Sequence, residues 1–324
     1  MALLTVNDLS IAINSKTVPL PVVENLSFTL EENETLGIVG ESGCGKSITA
    51  LAIMGLLQSR QVRVTGGAIV FNGQNLLAMP DKARRHIMGD QMAMVFQEPM
   101  TSLNPVYRIG DQVIEALRQH RRMSSSEYRD RVLQLLEMVR IPEPEQCMNR
   151  FPHQLSGGQR QRVMIAVALS CDPKLIIADE PTTALDVTVQ KEVLDLMLEL
   201  QRTTGTSIIL ISHDLGVVAQ TCNKVAVMYR GRILESAPTN ELFTHVLHPY
   251  TKGLLNSIPS INQDSEWLDA IPGRVPVLDE QLPGCAFHPR CAYAQPPCSE
   301  TMPELATISG QQKVRCHYAG ELEL

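Results

Sequence analysis

Gly40-Glu41-Ser42-Gly43-Cys44-Gly45-Lys46-Ser47 is the stretch that decides the fold. It fits G-x-x-x-x-G-K-[ST], the loop that wraps nucleotide phosphates with backbone N–H groups. The flanks suit the motif. Glu34-Thr35-Leu36-Gly37-Ile38-Val39 reads as a short buried strand, and Ile48 to Leu57 reads as a helix. Glycine lets the backbone approach an anion closely, and the helix turns its positive end towards it. On this pattern Lys46 reaches the β- and γ-phosphates and the Ser47 hydroxyl holds Mg²⁺.

The chain has 324 residues, 44% of them apolar, enough for one large or two modest domains. Its net charge of −7 argues against a general nucleic-acid binder. Met1 to Asp8 lacks the basic start and apolar core of a secretory signal. No run approaches the roughly 18 consecutive apolar residues of a membrane span. Work at a membrane would therefore require docking on a partner. Eight cysteines without a signal point to reduced cytosolic thiols.

Alternating apolar positions in residues 1–33 predict antiparallel strands around a turn at Asn14–Pro21. Ala68–Phe71 followed by Asn72-Gly73 predicts a strand and a tight turn, and Met92–Phe96 a further strand. From Thr101 to Arg150 the spacing of Val113, Leu117, Val132, Leu135, Leu136 and Val139 is helical. Lys174–Ala178 and Ser207–Ile211 are runs of the buried, parallel-sheet kind, with an amphipathic helix from Val189 to Leu200 between them. Lys224–Tyr229 and Arg232–Glu235 predict a hairpin around Gly231. Beyond Pro259 periodicity is lost, and a boundary is placed near residue 255.

Two more segments carry chemistry. Leu175-Ile176-Ile177-Ala178 ends in Asp179-Glu180. Beside a phosphate loop, one carboxylate can serve the Mg²⁺ shell and the other can polarise water. Leu155-Ser156-Gly157-Gly158-Gln159 opens a helix, either as a second anion-binding terminus or as an ordinary helix capped by Ser156.

With these motifs in this order, residues 1–255 resemble the ATP-binding-cassette family, the ATPase subunits of ABC transporters. The resemblance implies an α/β P-loop NTPase fold. It has a RecA-like lobe, an antiparallel β subdomain, an inserted helical subdomain at about 98–165, and here a small C-terminal extension at 256–324. It implies that Gln97 senses the γ-phosphate and Mg²⁺, that Ala184-Leu185-Asp186 meets a partner cassette, and that His213 is the switch histidine. Gly40 to Ile48 would cradle ATP, and Ser156 to Gln159 would face the ATP of a second cassette. Mg²⁺ would be held by Ser47, Gln97 and Asp179. Glu180 would be the general base, with Lys46 and His213 stabilising charge. Read alone, Gln97 is an ordinary strand-end amide and His213 a hydrogen-bonded structural histidine. Two departures stand out. Ile13 occupies the place where many cassettes stack an aromatic residue on adenine, and Ile48 replaces a hydroxyl residue. Cys44 is expected to contribute its backbone alone.

Cys285, Cys291, Cys298 and Cys316 crowd the tail. Buried free thiols, zinc and an iron–sulfur cluster all remain open, although the C-x2-C pairs usual for structural zinc are missing. His288 and His317 read as solvated neighbours. Here the chain is similar to the dipeptide and oligopeptide permease group, through Leu247-His248-Pro249-Tyr250-Thr251, Pro283-Gly284-Cys285 and Val95 to Pro105. That resemblance implies a [4Fe–4S] cluster on the four cysteines. It also implies a peripheral position on the cytoplasmic face of the inner membrane, with Glu98–Pro105 gripping a membrane subunit. The partners implied are two transmembrane permease subunits, a second homologous ATPase, and indirectly a periplasmic or extracellular peptide-binding protein. Nickel, glutathione or a sugar-like cargo stays open, as do a soluble cassette acting on nucleic acid and a weakly hydrolysing regulatory cassette.

Overall fold

The computed structural model describes residues 2–15, 18–57, 61–183, 185–257, 271–280 and 282–324. Ala184 and the run 258–270, with Pro259, lie outside the described residues. The chain forms two compact units. One comprises Met1–Leu30, Glu34–Leu77 and Leu210–Leu324, and the other Glu31–Asn33 and Ala78–Ile209.

The first unit opens with strands β1 (Ala2–Ile13) and β2 (Leu20–Glu31), as the alternation predicts. Leu4, Val6, Leu9 and Ile11 of β1 are fully buried, the alternation shifting by one residue across the irregular register between Asn7 and Ser10. Strand β3 (Thr35–Val39) is buried throughout and leads through the phosphate loop into helix α1 (Lys46–Ile53). Strands β4 (Val62–Phe71) and β5 (Gln74–Asn75) complete a sheet of order β2-β1-β4-β5. Between them Asn72 and Gly73 have φ of 47° and 76°. Two consecutive positive values make the tight hairpin turn that Asn-Gly favours.

The second unit is helical around short parallel strands. Helix α2 (Asp81–Ile87) precedes β6 (Met92–Val95), followed by α3 (Pro99–Ser102), α4 (Ile109–His120), α5 (Ser125–Met138), α6 (Pro144–Cys147) and α7 (Gly157–Leu169). Strand β7 (Leu175–Asp179) runs parallel to β6, Met92 opposite Leu175 and Val95 opposite Ala178. The apolar positions spaced at three and four residues do what that spacing predicts. Val113 and Leu117 of α4 and Val132, Leu135 and Leu136 of α5 are buried. Each such side chain contributes about 1.5–3 kcal/mol by leaving water. Helix α5 is started by a capping box, Ser124 with Glu127. The carboxylate of Glu127, accepting from the backbone and side chain of Ser124, is held below its ordinary pKa. Helix α8 (Val187–Thr204) follows, ending at Gly205 with φ 71°.

Strand β8 (Ser207–Ser212) carries the chain back into the first unit. There follow α9 (Leu215–Thr221), β9 (Lys224–Tyr229), β10 (Arg232–Pro238), α10 (Thr239–Thr244), α11 (Pro249–Asn256), α12 (Pro296–Glu300), β11 (Ala306–Ser309) and β12 (Gln312–Val314). Strand β3 pairs in parallel with β9, and the expected hairpin joins β9 to β10 through Arg230 and Gly231. The tail then adds two strands that its sequence did not announce. Strand β12 pairs with β10, Glu235 opposite Val314, giving the order β11-β12-β10-β9-β3. Strands of three and four residues are too short to show alternation. Among the described residues no helix is long and apolar enough to cross a membrane.

Candidate functional site

In the first unit the phosphate loop is shaped by β3 and β9. Gly40 has φ 154°, and a Cβ there would lie 2.0 Å from the backbone oxygen of Met228 on β9. Gly45, at φ 104°, is the N-cap of α1 and has no side chain with which to cap it. A helix N-terminus at the end of such a loop favours an anion. Lys46 is buried, and its Nζ donates to the carbonyls of Gly40 (2.7 Å) and Glu41 (3.1 Å). Phosphate oxygens would replace carbonyl oxygens already gathered around that ammonium. The Cys44 thiol is buried, and burial raises its pKa despite the nearby Lys46. A protonated thiol is a poor nucleophile, in keeping with a backbone role. Ile48 follows inside α1, while the Thr49 hydroxyl donates back to the Gly45 carbonyl (2.9 Å).

The loop's second residue is tied to the C-terminal region by contacts that the sequence does not reveal. The Glu41 N–H donates to Tyr250 Oη (3.0 Å). The Glu41 carboxylate receives two bonds from the Arg290 guanidinium, 2.7 and 3.1 Å. Burial works against the charge on Arg290, but the bonds from Glu41 and Tyr229 outweigh it and hold the pKa above the ordinary value. Tyr250 was legible as part of Leu247–Thr251. Arg290, 249 residues from its partner, carries no local signal.

His213, also in this unit, is exposed just beyond β8. The next residue, Asp214, caps α9 by accepting from the N–H groups of Gly216 and Val217. Ile13, half-buried, ends β1 opposite Val62.

In the second unit the structure brings Gln97 and Glu180 together. Glu180 Oε2 accepts from Gln97 Nε2 and from Thr183 Oγ1, each at 3.0 Å. Thr183 is a further member that sequence reasoning missed. Glu180 has φ 45°, the left-handed region that costs a glutamate conformational energy. Strain of this kind persists where surrounding structure over-determines it, commonly at functional sites. Asp179, before it, ends β7 and is buried.

Ser156 caps α7 in a full capping box: Gln159 N–H donates to Ser156 Oγ (3.3 Å), and Ser156 N–H donates to Gln159 Oε1 (3.0 Å). The ordinary-cap reading of this segment is therefore present in the fold. The two glycines differ, however. A Cβ on Gly158 would meet Val189 Cγ1 at 2.6 Å, whereas one on Gly157 would meet, among the described residues, only Leu185 Cδ2 at 3.5 Å. Packing explains Gly158 and, among the described residues, leaves Gly157 unexplained. Of Ala184-Leu185-Asp186, Ala184 lies outside the described residues, and Asp186 caps α8 by accepting from the Val189 N–H (3.0 Å).

All eight cysteines are free thiols. Cys285, Cys291, Cys298 and Cys316 line one cavity of about 20 Å³ in the first unit, together with His248, His288 and His317. Burial, with mutual repulsion, pushes the Cys285 thiol up to about 11 and raises Cys291 and Cys316. The tail histidines are bonded to backbone carbonyls rather than left to solvent: His288 Nδ1 to Cys285 O (2.8 Å) and His317 Nε2 to Thr301 O (2.9 Å). Among the described residues no group of three or more His, Cys, Asp or Glu side chains is arranged to hold a metal ion.

Comparison with known proteins places these features. Residues 23–183 match the ABC transporter family, and residues 234–298 match the oligopeptide/dipeptide transporter C-terminal region. The oligopeptide transport ATP-binding protein AppD of Bacillus subtilis is 49% identical over 97% of this chain and 96% of its own. The dipeptide transport ATP-binding protein DppD of Escherichia coli is 45% identical over 98% and 97%. Among solved structures, a dimeric ATP-binding cassette in a post-hydrolysis state bound to ADP and Pi superposes with TM-score 0.66 at 27% identity. It covers 73% of this chain and 98% of that one. The chain belongs to the ABC transporter family, as an ATP-binding subunit that carries the oligopeptide/dipeptide transporter C-terminal region.

Proposed function

We propose that this ATPase subunit energises the import of di- or oligopeptides. It would be docked on the cytoplasmic face of the cell membrane, on two permease subunits and beside a second, homologous ATPase. The observation that carries the reading is the tail. A solved cassette covers 73% of the chain, and residues 234–298 match the peptide-transporter C-terminal region. The peptide itself would reach the permease from an external binding protein and never touch this chain. Phe96 (40% exposed), Val106 (73%) and Tyr107 (53%) lie open around Glu98–Pro105. They offer an apolar surface for a helix of a permease subunit.

In this reading Gly40 to Ile48 bind the ATP phosphates, Lys46 and His213 steady the γ-phosphate, and Ile13 packs on adenine. Ser47, Gln97 and Asp179 would hold Mg²⁺, which when bound neutralises charge on the β- and γ-phosphates. Glu180 takes a proton from the attacking water, held in place by its bonds from Gln97 and Thr183. Ser156, Gly157, Gly158 and Gln159 present a helix N-terminus to the ATP of the second ATPase. Gly157 is exposed where packing does not require a glycine, which supports that use.

The experiment is Glu180→Gln. The amide keeps an oxygen for Gln97 and Thr183 and loses the base. MgATP binding should stay within about threefold of the parent, while hydrolysis by the assembled transporter falls by about 10²–10⁴-fold. Near-parental turnover would remove Glu180 from the role.

The tail's donor set also fits a [4Fe–4S] cluster: four thiols and no carboxylate line one cavity. Burial first, and then mutual repulsion, raises the pKa values of Cys285, Cys291 and Cys316, and a bound cation would relieve the repulsion. Cys285, Cys291, Cys298 and Cys316 would hold it, and when bound it would supply a structural cross-link with one-electron chemistry. Anaerobic purification should give a brown protein with about four irons per chain. A colourless, zinc-loaded protein would overturn the cluster.

A further inference from the structure

The sequence places a carboxylate, Glu41, inside the loop that must receive a polyanion. The structure shows how its charge is dealt with. Arg290 meets it with a two-pronged ion pair, its own side chain only 4% exposed. Every N–H of the guanidinium has an acceptor. Besides the two bonds to Glu41, Nη1 donates to Tyr229 Oη (3.4 Å), Nε to Pro272 O (3.0 Å) and Nη2 to Ile271 O (3.3 Å). Its carbon lies 5.9 Å from the ring centres of both Tyr229 and Phe287. Arg290 thus sits in a built socket, oriented before it meets Glu41. A lysine could keep the charge but not the fork.

Glu41 is in turn pinned three ways: by Arg290 at its side chain, by Tyr250 at its N–H and by Lys46 at its carbonyl. An unpaired carboxylate here would repel the incoming phosphates through a partly desolvated medium. It would also free the loop's second residue to move.

We propose that Arg290 is a positioning residue for nucleotide binding, its guanidinium fixing Glu41 and cancelling that carboxylate's charge so that the phosphate loop accepts ATP. The proposal rests on the nucleotide reading of the loop. Arg290 closes the short 3-10 turn His288–Arg290 between Cys285 and Cys291, with Arg290 N–H donating to Phe287 O (2.9 Å). The nucleotide loop and the thiol cavity are therefore connected within one unit through Arg290 and, by its bond to the Glu41 N–H and its packing on Phe287, through Tyr250.

The test uses the full chain, equilibrium binding of MgATP, and steady-state hydrolysis by the assembled transporter. Arg290→Ala should weaken MgATP binding by about tenfold, the equivalent of about 1.4 kcal/mol. The KM should rise in step, while kcat at saturating MgATP changes less than about twofold. Adding Glu41→Gln to Arg290→Ala should restore most of the affinity, because the charge that Arg290 held is gone. A residue that merely supports the fold would show no such rescue. If Arg290→Ala is not recovered folded, Arg290→Gln with and without Glu41→Gln carries the same comparison. Parental affinity in the single variant, or a double variant no better than the single, overturns the proposal alone. A parent chain that binds no MgATP overturns the nucleotide reading and this proposal with it.

Discussion

At the scale of single residues, the decisive positions are those where backbone or burial makes a side chain irreplaceable. Gly40 is one. A methyl group there would collide with the Met228 carbonyl, in a backbone conformation that alanine adopts at a cost. Gly40→Ala should destabilise the protein by about 2–4 kcal/mol and abolish MgATP binding. An unchanged unfolding midpoint would contradict the geometry. Cys222 is another. Its thiol sits under β3, its Sγ 3.1 Å from where a Gly37 Cβ would be, and burial pushes its pKa up to about 12. The folded state then holds the proton more tightly than the unfolded state. Its contribution is complete below about pH 9, the thiol's ordinary value, and is lost as pH rises towards about 12. Across that window this one group should lower stability by about 1.4 kcal/mol per pH unit. Cys222→Ala should flatten the decline, and denaturant melts at pH 8 and pH 10 on parent and variant measure the difference. Equal slopes would mean that the thiol does not titrate as its burial implies.

At the scale of elements, α7 separates packing from function. Its two leading glycines look alike in the sequence, yet only Gly158 lies against another element, at Val189 of α8. Valine in a helix has little rotamer freedom to give way. Gly158→Ala should therefore cost about 1–3 kcal/mol. Gly157→Ala should leave the melting temperature within about 2 °C while lowering hydrolysis by at least about tenfold. A Gly157→Ala protein with parental hydrolysis would reduce the segment to a capped helix. Strong hydrophobic periodicity made α4, α5 and α8 readable. The bond between Gln97 and Glu180 was not, because it joins a loop after β6 to the end of β7 across 83 residues.

At the scale of the whole molecule, the C-terminal region is part of the first unit's sheet. It covers the edge of β10 and brings Gln312 to the fully buried Glu235, whose carboxylate also accepts from the Leu247 and His248 N–H groups. Burial raises the pKa of Glu235, so each donor matters. A chain ending at Ser257 should lose a bond to a buried carboxyl group, worth about 1.5–3 kcal/mol, and expose a sheet edge. We expect a melting temperature several degrees lower and concentration-dependent aggregation. A truncated chain that melts with the parent would show that the cassette folds independently of its tail.

The sequence by itself determined the phosphate loop with its flanking strand and helix, the strongly periodic elements such as α4, α5 and α8, and the family. These are local: a glycine-rich spacing, a period of two or of about 3.6, and motifs contiguous in the chain. Only the tertiary structure decided that Glu41 pairs with Arg290, that Glu180 is held in a left-handed conformation beneath Gln97 and Thr183, and that four scattered thiols share a cavity. The physical reason is the same in each case. An ion pair, a strained φ and a convergence of side chains depend on which segments the sheet and core bring together, and no local pattern encodes a partner that lies 83 or 249 residues away.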